Sequence, residues 1–205
     1  MRMDKEINNN GYDYVDLGLP SGTIWATCNV GADKPSDWGF YFQWGDTVGY
    51  TKEQIGTDNM FTWNDYKWNP SGDAETFTKY TTSGTALYLE DDAANANMGR
   101  DWHMPSPEQI SELINNTTSE WTTLDGVSGM TFASKKDKSK FIFIPAAGYA
   151  WDGAVNDSEI YGKIWSSMLS ANSDSYGLSF NFLSDNINLY NDCRDDGHSI
   201  RGVIG

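Results

Sequence analysis

The side chains best suited to chemistry crowd toward the C-terminus of this chain. Between Asp185 and Asp196 stand four aspartates and a single cation, Arg194, with Cys193 inside the run and His198 just beyond it. Paired carboxylates could do acid–base work, and converging carboxylate and amide oxygens could hold calcium. Glycoside hydrolysis needs two carboxylates held about 5–10 Å apart, and among 29 acidic residues no pair has a distinguishing spacing. Tyr190-Asn191-Asp192-Cys193 and Trp63-Asn64-Asp65 are oxygen-rich, but no Glu-Pro-Asn or Gln-Pro-Asp triplet precedes either, so half a calcium shell is missing. Calcium is the one cofactor to weigh, and it is not favoured; no metal site is expected. His103 and His198 are too few and too far apart for a triad or a metal cluster. Cys28 and Cys193 have neither zinc nor CxxC spacing, and whether they form one bridge is left open. Cys193 has no basic surroundings to activate its thiol. No catalysis is expected.

The same region suits recognition. In Leu178-Ser179-Phe180-Asn181-Phe182 apolar and polar residues alternate strictly, which predicts a strand with one buried and one wet face. Trp165, Leu178, Phe180, Ile187, Ile200 and Val203 are the expected buried members, each contributing roughly 1.5–3 kcal/mol. Gly177, Ser179 and Asn181 are expected to point outward. Asp174 precedes them; Asn188, Tyr190, Asp192, Arg194, Asp195, Asp196 and His198 are expected in the following loop and the start of the last strand. Ser, Asn and Asp give short hydrogen-bonding groups and Tyr gives rigid amphipathic area, an inventory typical of binding loops. The aspartates favour a cationic or hydroxyl-rich partner over an acidic one.

The elements that must position these residues are short. With 9 Trp and 20 Gly, many brief strands and tight turns around an aromatic core are expected. Strands are predicted at Thr23–Thr27, Phe40–Trp44, Phe141–Ile144, Lys163–Ser167, Leu178–Phe182 and Ser199–Ile204. A helix should follow Ser106 as N-cap, with Pro107 at its first position and Gln109 closing a capping box. Ile110, Leu113 and Ile114 then form its apolar face. A shorter helix is predicted over Asp91–Met98, stopped by Gly99. Two helices among many short strands make the fold class α+β. His103, beside Trp102, is expected in the core.

Bulk properties narrow the partners. At 205 residues the chain fits one domain, with residues 1–13 as a flexible N-terminal segment and 14–205 as the domain. A net charge of −15 argues against nucleic acid and anionic lipid. The longest apolar stretch, Phe141 to Ala150, is too short to span a bilayer, and no signal peptide is visible in Met1 to Asn10.

One compositional feature sets the C-terminal segment apart. Lys, Glu, Gln, Trp and Met account for 37 of the first 168 residues and for none of the last 37. Chance at constant composition gives that roughly once in ten thousand trials. These five types are the ones that cannot be encoded when the first two codon bases vary freely and the third is a pyrimidine. Adenine-directed mutagenesis of AAY codons leaves this fingerprint. Exposed strands and turns, naturally poor in Lys and Glu, offer the plainer explanation.

Several motifs resemble a known family. Asp16-Leu17-Gly18-Leu19-Pro20-Ser21-Gly22-Thr23-Ile24-Trp25-Ala26, Asn29-Val30-Gly31-Ala32 and Gly39-Phe40-Tyr41-Phe42-Gln43-Trp44-Gly45-Asp46 resemble the opening of the major paralogous domain first described in Fibrobacter. Asp91-Asp92-Ala93-Ala94 with Trp102-His103-Met104-Pro105-Ser106, then Ile144-Pro145-Ala146-Ala147-Gly148-Tyr149, Trp165-Ser166-Ser167 and Gly197-His198-Ser199-Ile200-Arg201, complete the series in family order. His103 stands where the family usually has Arg, and Gly202 where Pro is common. The resemblance implies a C-type lectin-like fold and a variable protein of a diversity-generating retroelement, with a variable region at about 169–201 that lines a ligand-binding face. It further implies a protein or glycan ligand on a cell surface, and a place on a phage virion or an extracellular surface in gut-type bacteria. A fixed-specificity carbohydrate-binding or adhesin module is the alternative.

Overall fold

A computed structural model describes residues 6–7, 11–56, 60–99 and 101–205. The two ends of the chain share a sheet: β1 (Glu6–Ile7), β2 (Asp13–Val15), β3 (Ile24–Ala26) and the last strand, β12 (Val203–Ile204), lie side by side in that order. The predicted flexible segment 1–13 falls partly outside the described residues; within it, Glu6–Ile7 pairs with Asp13–Tyr14.

Both predicted helices are present. Helix α1 (Ala93–Met98) begins two residues later than expected, because Asp92 keeps an extended backbone and acts as its N-cap, accepting from Asn95 N at 2.9 Å. The second Asp92 oxygen accepts from Met104 N at 2.8 Å, which ties the helix start to the segment after it. Asp91 belongs instead to a single 3-10 turn, Leu89–Asp91. Helix α2 (Pro107–Asn116) carries the full capping box between Ser106 and Gln109 and buries Ile110 and Leu113.

The helix leads directly into β4 (Thr117–Leu124), which turns back as β5 (Val127–Ser134) and pairs on to β6 (Phe141–Pro145). A small hairpin, β7 (Tyr149–Trp151) with β8 (Ala154–Asn156), follows. The turns of both hairpins are Asp-Gly, with Asp125, Gly126, Asp152 and Gly153 all at positive φ. That is the mirror-image turn whose twist matches right-handed strands. The third sheet, β9 (Gly162–Leu169), β10 (Tyr176–Phe182) and β11 (Ile187–Cys193), runs in the order β11-β10-β9. Among the described residues every strand pairing in the four sheets is antiparallel, and these strands with two helices make the protein α+β.

One predicted strand is not a strand, and another is shorter than expected. Phe40–Trp44 forms only isolated bridges, from Tyr41 to Tyr50 and from Phe42 to His198. In Ser199–Ile204 the ladder is confined to Val203–Ile204. Successive residues there pair with different neighbours, Phe42 with His198 and Ile164 with Ser199, so no continuous ladder develops. Conversely, of the residues expected in a loop after β10, Asn188, Tyr190 and Asp192 belong to an edge strand, β11.

Three apolar clusters hold the elements. Trp44, Trp102, Trp165, Met104 and Ile200 anchor the first. In the second, α2 packs Ile110 and Leu113 onto Phe132, Ile142, Ile164, Phe180 and Phe182. The third centres on Tyr41, Phe61 and Ala150. Among the described residues no helix is long and apolar enough to cross a membrane.

Candidate ligand-binding site

The register of the β9–β10–β11 sheet decides which side chains can meet. Asn181 lies opposite Lys163 on one side and Asn188 on the other, Ser179 opposite Trp165 and Tyr190, and Gly177 opposite Asp192. Directly opposed residues share a face, so Lys163, Ser179, Asn181, Asn188, Tyr190 and Asp192 all project from one side. The other side carries Ile164, Phe180 and Phe182 into the second core, with Ile187 and Leu189 packed partly against it. The predicted alternation therefore holds in parity.

Exposure is where the expectation fails. Gly177, Ser179 and Asn181 are buried, not outward-facing. Trp44 and Trp165 lie over Gly177, where an added Cβ would stand 2.6 Å from a Trp44 ring carbon. Leu178 and Ile187, expected to be buried, are half-buried.

Ser179 and Asn181 turn toward Asp192. Asn181 Nδ2 donates to Asp192 Oδ2 at 3.0 Å, the Ser179 hydroxyl donates to the same oxygen, and Lys163 Nζ donates to Oδ1 at 2.8 Å. Burial opposes the charge on Asp192, but the Lys163 ammonium and the hydrogen bonds from Lys163 and Ser179 outweigh it and hold the carboxyl below its ordinary range.

A cavity of about 340 Å³ opens on this polar face. Its walls are Lys163, Asn181, Phe182, Tyr190 and Asp192 from the sheet, Leu183 and Asn186 from the β10–β11 turn, and Tyr149, Asp157 and Tyr161 from the segment around the β7–β8 hairpin. At the rim Asn186 Nδ2 donates to the Tyr190 hydroxyl at 3.3 Å, and Tyr190 is 44% exposed. Asn188 is exposed and donates to Asn186 Oδ1. Tyrosine faces, two carboxylates, two amides and one ammonium give a hydroxyl-rich ligand flat area and alternating donors and acceptors. The volume is at the small end of roughly 300–1,000 Å³ typical of ligand pockets.

Arg194 does not belong to this cavity. Its side chain is fully buried, with Nε donating to the Tyr66 hydroxyl at 2.8 Å and Nη1 to the Asp174 and Tyr80 carbonyls at 2.8 and 3.2 Å. Nη2 donates to the Lys79 carbonyl at 3.1 Å, and the guanidinium carbon stands 4.3 Å from the Phe77 ring centre. The residue expected to be the exposed cation of the binding loop thus fastens segment 66–80 to the end of β11. Asp174, half-buried, serves it through its carbonyl.

Asp195, Asp196 and His198 lie past the end of β11. Asp195 is buried, and burial together with the charge of Asp65 raises its carboxyl to about 7. Asp196 is half-buried and also raised to about 7, by burial and by the charges of Asp195 and Asp192. His198 is fully buried and stacked on Trp165 with ring centres 3.9 Å apart; burial lowers its pKa to about 3 and keeps it neutral. Neither Asp195 nor His198 is the solvated loop residue expected. His103 is half-buried, not a core residue, and bonds to the Met104 and Gly205 carbonyls.

Cys28 and Cys193 are both free thiols. Burial and the surrounding aspartates push Cys193 up to about 12, so it stays protonated at neutral pH.

Of the predicted site residues, Asn181, Tyr190 and Asp192 meet at the cavity and Ser179 supports Asp192 from behind. Tyr149, Asp157, Tyr161, Lys163 and Asn186 were missed. Lys163 had a readable signal, being two residues before Trp165 and therefore on the same face of the predicted strand. The tyrosines and Asp157 come from other segments and carried none. No known protein family matches the chain, and neither a curated protein nor a solved structure matches it.

Proposed function

We propose that this protein is a non-enzymatic binding protein of C-type lectin-like architecture, whose C-terminal face recognises a protein or glycan on a cell surface and is diversified by a retroelement. One observation carries the reading. The segment depleted of five residue types is also the segment that supplies Asn181, Leu183, Asn186, Tyr190 and Asp192 to the cavity. Its stability rests on other groups: Phe180, Arg194, Ile200 and Arg201 are all buried. Arg201 donates to Asn29 Oδ1 at 2.9 Å and to the Ala26 and Phe143 carbonyls at 3.0 Å, fixing the end of the chain without touching the cavity. A phage receptor-binding component or a displayed surface protein uses such a division between scaffold and contact positions.

A second reading has its own support. Three hydrogen bonds fix the Asp192 carboxylate, two of them from the buried Ser179 and Asn181, and random change at either residue would remove one of them. That favours a fixed-specificity carbohydrate-binding or adhesin module. Binding of the purified protein to a printed glycan array and to intact gut-bacterial cells tests the site. The Tyr190→Ala variant is expected to lose at least tenfold in affinity while melting within a few degrees of wild type. Undiminished binding by that variant removes the cavity from the account.

A further inference from the structure

The turn after β11 brings together three groups that sequence spacing alone does not suggest. One carboxylate oxygen each from Asp192 and Asp196 and one ring nitrogen of His198 all lie within 4.8 Å of one another. His198 is fully buried, and neither of its ring nitrogens has a hydrogen-bond partner among the described residues. A buried polar atom without a partner costs on the order of 1–3 kcal/mol, so an unpaired imidazole facing two carboxylates calls for an occupant. The geometry points to a binding site for a divalent d-block cation, zinc above all, with Asp192, Asp196 and His198 as its protein ligands.

The donor chemistry selects the ion. Imidazole nitrogen suits zinc and its neighbours, whereas calcium seeks six to eight oxygens and magnesium retains water in an octahedral shell. Asp192 has room for the bond: a carboxylate offers about four lone-pair sites, and Lys163, Ser179 and Asn181 use three. These partners also fix its orientation, as groups behind a metal ligand commonly do. His198 is held by the Trp165 ring and by its backbone bonds to Phe42, at 2.9 and 3.0 Å. Asp196 is the adjustable member: it is half-buried on a turn, and no hydrogen bond to its carboxylate is present among the described residues. Bonds of about 2.0–2.2 Å require the three donors to draw in by roughly 1 Å, a movement within reach of the Asp196 side chain. Because Asp192 is also a wall of the cavity, the ion would stiffen that wall. The site stands or falls independently of what the cavity binds.

The test uses the full chain, stripped with EDTA and titrated with zinc chloride alone. Isothermal titration should show one equivalent with a dissociation constant below about 10 µM, undisturbed by millimolar calcium or magnesium. The chain has only two histidines, so imidazole 15N spectra report each ring separately; His198 should shift and His103 should not. Asp196→Asn, at the half-buried and adjustable position, should weaken binding at least tenfold while circular dichroism stays native. Cys193→Ser should leave affinity unchanged. A silent His198 ring, no stoichiometric binding, or affinity kept by Asp196→Asn and lost by Cys193→Ser would each overturn the site.

Discussion

Lys163 and Asp192 meet across the full width of a three-stranded sheet, the ammonium nitrogen 2.8 Å from Oδ1, with β10 between their two strands. Their side chains are 12% and 14% exposed, so the pair is largely withdrawn from water. Removing one member of such a pair leaves a buried charge uncompensated, at a cost of about 3–5 kcal/mol. Lys163→Met should lose about that much in urea unfolding, and Lys163→Met/Asp192→Leu less than the sum of the single changes. Because the Asp192 carboxyl is held below its ordinary range, its contribution is complete above the unfolded value of about 3.9. It declines as pH falls further. The stability gap between wild type and Asp192→Asn should therefore close below about pH 4.

Asp195 and Asp196 act in the opposite sense. Both carboxyls are raised to about 7, so the native state holds protons that the unfolded chain has released. Their effect favours folding at low pH and is lost as pH rises through about 7. His198, lowered to about 3, opposes them, since its contribution is full above the unfolded value of 6.5 and falls with pH below it. A comparison of variants isolates the carboxylates. In EDTA, the Tm of Asp195→Asn/Asp196→Asn minus that of wild type should increase from pH 5 to pH 8. A constant difference would remove the two aspartates as titrating groups.

Arg194 should prove structural. Four hydrogen bonds and the ring of Phe77 match a planar guanidinium, and lysine offers a point charge with a different reach. Arg194→Lys is expected to cost about 3 kcal/mol or more, a fall in Tm of about 6–12 °C for a chain of this size. Loss of ligand binding without loss of stability would return Arg194 to the binding surface.

The two helices were legible because their signals are local: Ser106, Pro107 and Gln109 close a cap within four residues, and Asp92 does so with Asn95. The alternation in β10 was legible for the same reason. Burial of Gly177, Asn181 and His198 was not, since the groups beside them come from 149–165 and, for Gly177, from Trp44, far off in sequence. The β4–β5 and β7–β8 hairpins did carry a local signal, Asp-Gly at 125–126 and 152–153, that the strand assignments passed over. Arg194 misled because composition cannot distinguish a solvated cation from one enclosed by Tyr66, Phe77 and three carbonyls.

The claim that this face is a diversified binding surface is tested most directly in the surrounding DNA, by searching for an imperfect repeat of the Leu169–Arg201 coding region beside a reverse transcriptase. The expected repeat differs only where its own bases are adenine. Those differences should fall in the codons of cavity and rim residues such as Asn186, Asn188 and Tyr190, and spare Gly177, Arg194 and Arg201. Absence of any such repeat, or adenine differences concentrated in the codons of the buried residues, would contradict the account and leave the fixed-specificity module in its place.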